Sequence, residues 1–278
     1  MASLKEVKGR IASVNSTRKI TSAMKMVASA KLHKAQAAIE SMLPYERRLH
    51  HILTDFMSNC TEVTSPFIVK REVKKVAVVV FASNTSLCGG FNANVIRHLV
   101  DLLTEYKPLG LENILVFPVG KKVADAVRKL GFRIEGDFQH MADKPSYQEA
   151  ADLAADLMKR FLHGDVDKVE LLYNHFKSTA SQILTRETYL PIDLNNEKKE
   201  EERTIDYILE PSAEELMQEM LPKVLRMKMF TVLLDSNAAE HAARTMAMQI
   251  ATDNANELLQ ELTVMYNKSR QQSITNEL

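Results

Sequence analysis

From residue 212 to the end of the sequence there is no glycine and a single proline, Pro222, in a stretch whose apolar residues recur at helical spacing. With no breaker after its first turns, such a segment is predicted to be one long helix. At ~1.5 Å per residue it would run on the order of 90 Å, longer than a domain of this size is wide. Most of it is therefore expected to find its partner outside any globular part. Pro211-Ser212-Ala213-Glu214-Glu215 marks the start, with carboxylates in the first turn where the helix dipole favours them. Further along, Ala251, Ala255, Leu258, Leu262 and Met265 keep the +4, +3 rhythm of a packing seam.

The opening segment is the evident partner. Leu4, Val7, Ile11 and Val14 form a seam of the same kind, and no proline occurs before Pro44. A second, thinner stripe of Ile20, Met24, Val27 and Ala30 means that this helix faces more than one neighbour. Pro44 ends or kinks it, and the pattern resumes at Leu49, Ile52, Leu53 and Phe56, which favours a kink. Small residues crowd the C-terminal segment (Ala238, Ala239, Ala242, Ala243, Ala247), so the two helices can approach closely as a thin antiparallel rod. If the prolines lie level, partner numbers total about 266, which puts Met24 beside Ala242 and leaves residues after about 265 projecting alone. Asp235, Glu240 and Asp253 are then expected to pair with the basic N-terminal helix.

Charge is balanced overall, with 36 basic and 36 acidic residues, which argues against a general nucleic-acid binder. The balance conceals a segregation: residues 1–50 carry 10 basic side chains against 3 acidic, whereas residues 212–278 carry 6 against 9. A basic coiled coil that binds nucleic acid is a possible reading of that face, but it lacks the interleaved aromatics that stack on bases. Two cysteines, Cys60 and Cys88, give neither a disulfide framework nor a CxxC metal site, and the scattered histidines form no HExxH. The first residues lack the apolar core of a signal peptide, and no run approaches the ~20 apolar residues that span a bilayer. Membrane contact is expected only through a partner.

Between the helices the signal is α/β. Residues 75–82 form a continuous β-branched run, followed by a helix over 92–106, a strand over 114–117 and helices over 121–130 and 146–162. Strands over 169–176 and 183–190, a solvated loop over 195–203 and a last strand-like piece over 205–209 complete it. Alternation of this kind predicts a Rossmann-like α/β domain with a mostly parallel sheet. The expected organisation is an N-terminal coiled-coil helix over 1–58, an α/β globular domain over 70–209 and a C-terminal coiled-coil helix over 212–278.

The place where such a domain could do chemistry is the turn after the first strand. Leu87-Cys88-Gly89-Gly90-Phe91-Asn92 is glycine-rich, but it is neither GxGxxG nor GxxxxGK[ST], and a tight structural turn is the plainer reading. Cys88 as a nucleophile would need a base, and only His98 is near in sequence. The enzyme alternative is a free-standing α/β nucleotide-binding enzyme with helical dimerisation arms. No cofactor or metal is implied.

Several stretches carry a resemblance: Ile11-Ala12-Ser13-Val14, Lys19-Ile20-Thr21, Ala23-Met24 with Met26-Val27-Ala28, Pro44-Tyr45, Leu87 to Asn92, Ala251-Thr252-Asp253-Asn254-Ala255, and Tyr266-Asn267-Lys268 with Arg270-Gln271 and Ser273-Ile274-Thr275. Spread over both ends and the middle, they resemble the gamma-subunit family of F-type ATP synthases. The resemblance implies a non-catalytic central rotor whose paired helices stand inside a ring of alpha and beta subunits. Its α/β domain would sit at the foot, on the c-ring with the epsilon subunit, at the cytoplasmic face of a bacterial inner membrane. Matched position by position, Met24 and Lys25 would face the beta-subunit lever region, and Arg244, Arg270, Gln271 and Thr275 would contact beta loops near the top of the shaft. Tyr207 would face the c-ring or epsilon, and Lys8 and Arg10 are basic candidates for the upper bearing. Three departures stand out: Asn84-Thr85-Ser86 replaces the family's usual acidic, basic and glycine residues before the turn. The chain stops about a dozen residues before the usual tip. The paired regulatory cysteines of chloroplast relatives are absent, so thiol control is not expected.

Overall fold

The computed structural model describes residues 4–59, 65–192 and 213–277. Helix α1 (Leu4–Asn59) opens the chain and helix α6 (Ala213–Glu277) closes it, and each runs on past its internal proline, Pro44 and Pro222 respectively. Between them lie β1 (Val76–Phe81), α2 (Phe91–Tyr106), β2 (Ile114–Val119), α3 (Lys121–Leu130), β3 (Arg133–Ile134), α4 (Gln139–Asp143), α5 (Tyr147–His163), β4 (Lys168–Ser178) and β5 (Ser181–Leu190). The expected strand over 205–209, the loop over 195–203 and Tyr207 lie outside the described residues.

The five strands form one sheet in the order β3-β2-β1-β4-β5. β1 is central and parallel to both neighbours, with Val78 level with Val116 on one side and Glu170 on the other. β5 alone runs antiparallel, as the short link from β4 dictates. Because side chains alternate across a strand, the β-branched run of β1 feeds two cores at once. Val76, Val78 and Val80 pack with α2 and α3 residues such as Leu99, Val123 and Val127. Ala77, Val79 and Phe81 pack with Leu157 and Phe161 of α5.

The second core also takes in α6. Met217, Leu221, Leu225, Met229, Val232 and Leu233 belong to it, so the lower third of the last helix is a layer of the sheet domain and not free rod. Most of the helix still lies outside the globular part, as expected, but its first turns are packed on the sheet. The sheet would otherwise leave the β1–β4 face half uncovered, and the +4, +4, +4, +3 spacing of these residues presents one stripe to it.

Beyond about residue 234, α6 changes partner. Leu32 and Ala35 of α1 pack against its Ala238 and Ala242. Higher up, Thr21 and Thr252 share a hydroxyl hydrogen bond of 2.9 Å, and Arg18 donates to Asn256 at 3.3 Å. Partner numbers thus total 273 to 274, not 266, and Met24 does not lie level with Ala242. Proline level was the wrong anchor: register is fixed where α6 leaves the sheet, and small residues on both helices tolerate the slip.

Leu221 is fully buried whereas Leu258 is 43% exposed. Leu221→Ala is expected to cost about 2–5 kcal/mol in chemical denaturation of the chain, and Leu258→Ala about 0.5 kcal/mol or less. Equal costs would contradict the two roles assigned to the lower and upper stretches of α6.

Candidate functional site: the junction of rod and sheet

In doubly wound sheets ligands bind beyond the carboxyl ends of the strands. Here that place is filled by α6. Leu233, Ser236, Asn237 and Glu240 cover Phe81, Ala82 and Val119, leaving a void of only about 10 Å³, room for roughly one water. The strand ends are plugged by the helix that goes on to form the rod.

The glycine-rich turn is likewise spoken for. Asn92 Oδ1 accepts from the Ser83 amide and hydroxyl, both at 3.0 Å, and its amide donates to the Thr85 carbonyl at 3.3 Å. Cys88 is 2% exposed and receives the Asn92 amide at 3.1 Å, the setting of an inert buried thiol. Cys88 and Phe91 pack on Ala239 and Ala243 of α6. Gly89, at φ +60, comes close enough that an added Cβ would lie 3.8 Å from the Ala247 methyl. The turn is a seat for the rod, and its glycine is there for the left-handed backbone.

Polar side chains of α6 tie the helix to three separate segments at this level. Asp235 accepts the Phe176 amide at 2.8 Å and pairs with His175 Nδ1 at 2.7 Å, both at the far end of β4. Asn237 donates to the Ala142 carbonyl of α4 at 2.9 Å. Arg244 donates to the Ser86 carbonyl of the turn and pairs with Glu240 at 2.7 Å. Asp253 takes the Gln249 amide. Among the described residues, the hydrogen bonds of Asp235, Glu240 and Asp253 go to the sheet domain or stay within α6; of the expected pairing with the basic N-terminal helix, the charge of Lys31 near Glu240 is what remains.

Burial pushes the Glu240 carboxyl up, against the opposing pull of Arg244. Beside it His241 is 7% exposed and its Nδ1 has no hydrogen-bond partner among the described residues. Desolvation, with Lys31 of α1 and Arg244 close by, lowers it from 6.5 to about 4, and Asp143 of α4 offsets this only in part.

The residues matched by resemblance do not come together. Met24 and Lys25 are half-buried partway along the rod, flanked by Ile20, Met26 and Val27, all at least 59% exposed. Arg270, Gln271 and Thr275 are exposed at the far end. Arg244 is not with them: it lies 26 residues lower, about 39 Å along the helix, with its guanidinium engaged by the turn. Resemblance supplied its identity but not its height.

Exposed apolar residues continue up α6 as Ile250, Val264, Met265 and Ile274. Such a surface in water marks a site for protein partners. A sheet domain with plugged strand ends and an apolar-faced two-helix rod defines a stalk subunit, built to be enclosed by other chains. A family model described as ATP synthase matches residues 3–278. The ATP synthase gamma chain of Phocaeicola vulgatus is 81% identical over 100% of this chain and 97% of its own length, and that of Bacteroides thetaiotaomicron is 63% identical over the same shares. Among solved structures, the rotor of the Euglena gracilis mitochondrial ATP synthase superposes with a TM-score of 0.63 at 19% identity, covering 98% of each chain. The central stalk and c-ring of the Tetrahymena thermophila mitochondrial enzyme gives 0.60 at 22% identity, over 84% of this chain and 99% of that one. The chain belongs to the ATP synthase gamma-chain family.

His241 yields a sign-definite test. The unfolded chain binds the imidazole proton near pH 6.5 and the folded chain only near 4, so this residue's contribution erodes as pH falls through that window and is constant below it. The loss is on the order of 3 kcal/mol. His241→Gln is expected to flatten the stability profile between these pH values in denaturant titrations; an unchanged slope would show that the imidazole takes up its proton as readily in the fold as in the unfolded chain.

Proposed function

We propose that this protein is the non-catalytic central-stalk rotor of a proton-translocating F-type ATP synthase. Its rod stands within a ring of alpha and beta subunits, its sheet domain rests on the c-ring beside epsilon, and it couples proton flow to ATP synthesis on sites that it does not itself contain. The observation that carries this reading is the rod with its exposed apolar side chains, emerging from a sheet whose ligand-binding end is occupied by the rod's own helix. No described helix is long and apolar enough to cross a membrane; the protein is assigned to the cytoplasmic face of the inner membrane, held there peripherally through its complex.

Mechanically, an off-axis rod turning within a threefold ring makes different contacts with each catalytic subunit in turn. Only differential contacts of this kind can favour one conformation over another at sites that are otherwise identical. Met24 and Lys25, with the apolar patch around Ile20, Met26 and Val27, are assigned to the beta lever region. Arg270, Gln271 and Thr275 are assigned to the upper bearing, with Lys8 and Arg10 beside them, and Tyr207 to the c-ring or epsilon. Arg244 is assigned to the junction, where its hydrogen bonds already lie.

Assembled with alpha and beta subunits, the chain should stimulate ATPase activity, while alone it should show no saturable nucleotide binding. Met24→Lys places a second cation beside Lys25 in the half-buried lever contact and is expected to lower proton pumping per ATP hydrolysed while leaving assembly intact. Nucleotide binding by the isolated chain would favour the enzyme alternative, and unchanged coupling would remove Met24 from its assigned role.

A further inference from the structure

Three α6 side chains that bond to the sheet domain stand where the helix leaves it. Below this level, from Met217 to Leu233, the packing is mainly apolar, joined by the Lys228–Glu187 ion pair to β5 at 3.3 Å and the Tyr189 hydroxyl donating to the Leu225 carbonyl at 2.8 Å. At it stand Asp235 on the end of β4 and Asn237 on α4, with Arg244 on the glycine-rich turn just above. At 3.6 residues per turn, Asn237 and Arg244 project about 200° and about 180° round the helix from Asp235. The bonds therefore grip α6 from opposite sides.

A rod fixed at one end and loaded beyond it carries its greatest bending moment at the point of exit from its support. Apolar packing resists separation but is indifferent to direction, so neighbouring ridges can shift under shear. Hydrogen bonds are directional, and two sets on opposite sides of an axle oppose rotation as a couple. Asn237 is 9% exposed, and Ser236 between the two gripping residues 5%, so water competes little for the buried bond from Asn237 to the Ala142 carbonyl.

We propose that Asp235 and Asn237, with Arg244, form a collar that fixes the angular register between the sheet domain and the rod, and so sets the torsional stiffness of their joint. They act as positioning residues through which the sheet domain holds α6; they touch no substrate. The proposal rests on the rotor reading. It predicts that loss of the collar makes the joint compliant while leaving the ring's chemistry alone.

The test uses the chain assembled with alpha and beta subunits, immobilised through the ring, with a bead on the sheet domain. With the ring stalled by a tightly bound nucleotide, the bead's angular variance reports stiffness. The double variant Asp235→Ala/Asn237→Ala should raise this variance about twofold, because equilibrium fluctuation grows as restraint is lost. Its ATPase rate should match the parent's. Asp235→Asn, which keeps an acceptor for the Phe176 amide, should stay close to the parent, an effect that general destabilisation would not reproduce. If the double variant fails to assemble, Asn237→Ala alone removes the bond to the Ala142 carbonyl; there a raised variance supports the collar and an unchanged one overturns it. Unchanged variance in the assembled double variant likewise overturns it. A parent bead that never turns when ATP is added would instead sink the rotor reading itself.

Discussion

The structure depends on one helix serving two hosts. Over its first third α6 is a layer of the sheet domain, and over the rest it is half of a rod, with no break between. A helix is a poor hinge, because bending it sharply breaks consecutive backbone hydrogen bonds or requires a proline or bulge. Continuity through the exit point therefore makes the sheet domain and the rod one mechanical piece. α1 joins through α6, against which most of its buried small residues lie.

The same continuity accounts for the missing chemistry. The parallel sheet keeps the architecture that elsewhere frames a nucleotide site, including a glycine-rich turn after the central strand. Side chains of α6 occupy the crevice at the strand ends, and the Asn92 side chain braces the turn by bonding to the Ser83 amide and the Thr85 carbonyl. The residues that might have been read as catalytic become structural: Cys88 is packed beneath alanines, and Glu240 is paired within its own helix.

Much of this was legible in the sequence. The β-branched run of residues 76–81 announced a strand covered on both faces, and the absence of breakers after Pro222 announced the long helix. What escaped notice has specific causes. β3 is two residues long, too short for any periodic signal. Asp235 and Asn237 look like solvent-facing residues of a helix, and only tertiary structure brings the ends of β4 and α4 to them. The rod's register was misread because alanine-rich seams carry no large side chain to fix depth; Thr21 and Thr252 find each other only once the sheet has set the height of α6. The stripe from Met217 to Val232 is present in the sequence, but its spacing is the same whether a sheet or a second helix covers it.

The alanines between the two long helices have a further consequence. Contacts such as Ala35 on Ala238 and Ala242 place the pair toward the close end of the ~8–10 Å range of helix separations. Any chain that pushes on the rod therefore does so at a short radius from its axis. Since torque is force times radius, a slender axle needs large tangential forces for a given turning moment, and those forces must be spread over broad, smooth patches if no single side chain is to yield. The apolar, weakly directional surface around Ile20, Met26 and Val27 has the character of a bearing face: it can be pressed hard and released without breaking strong bonds.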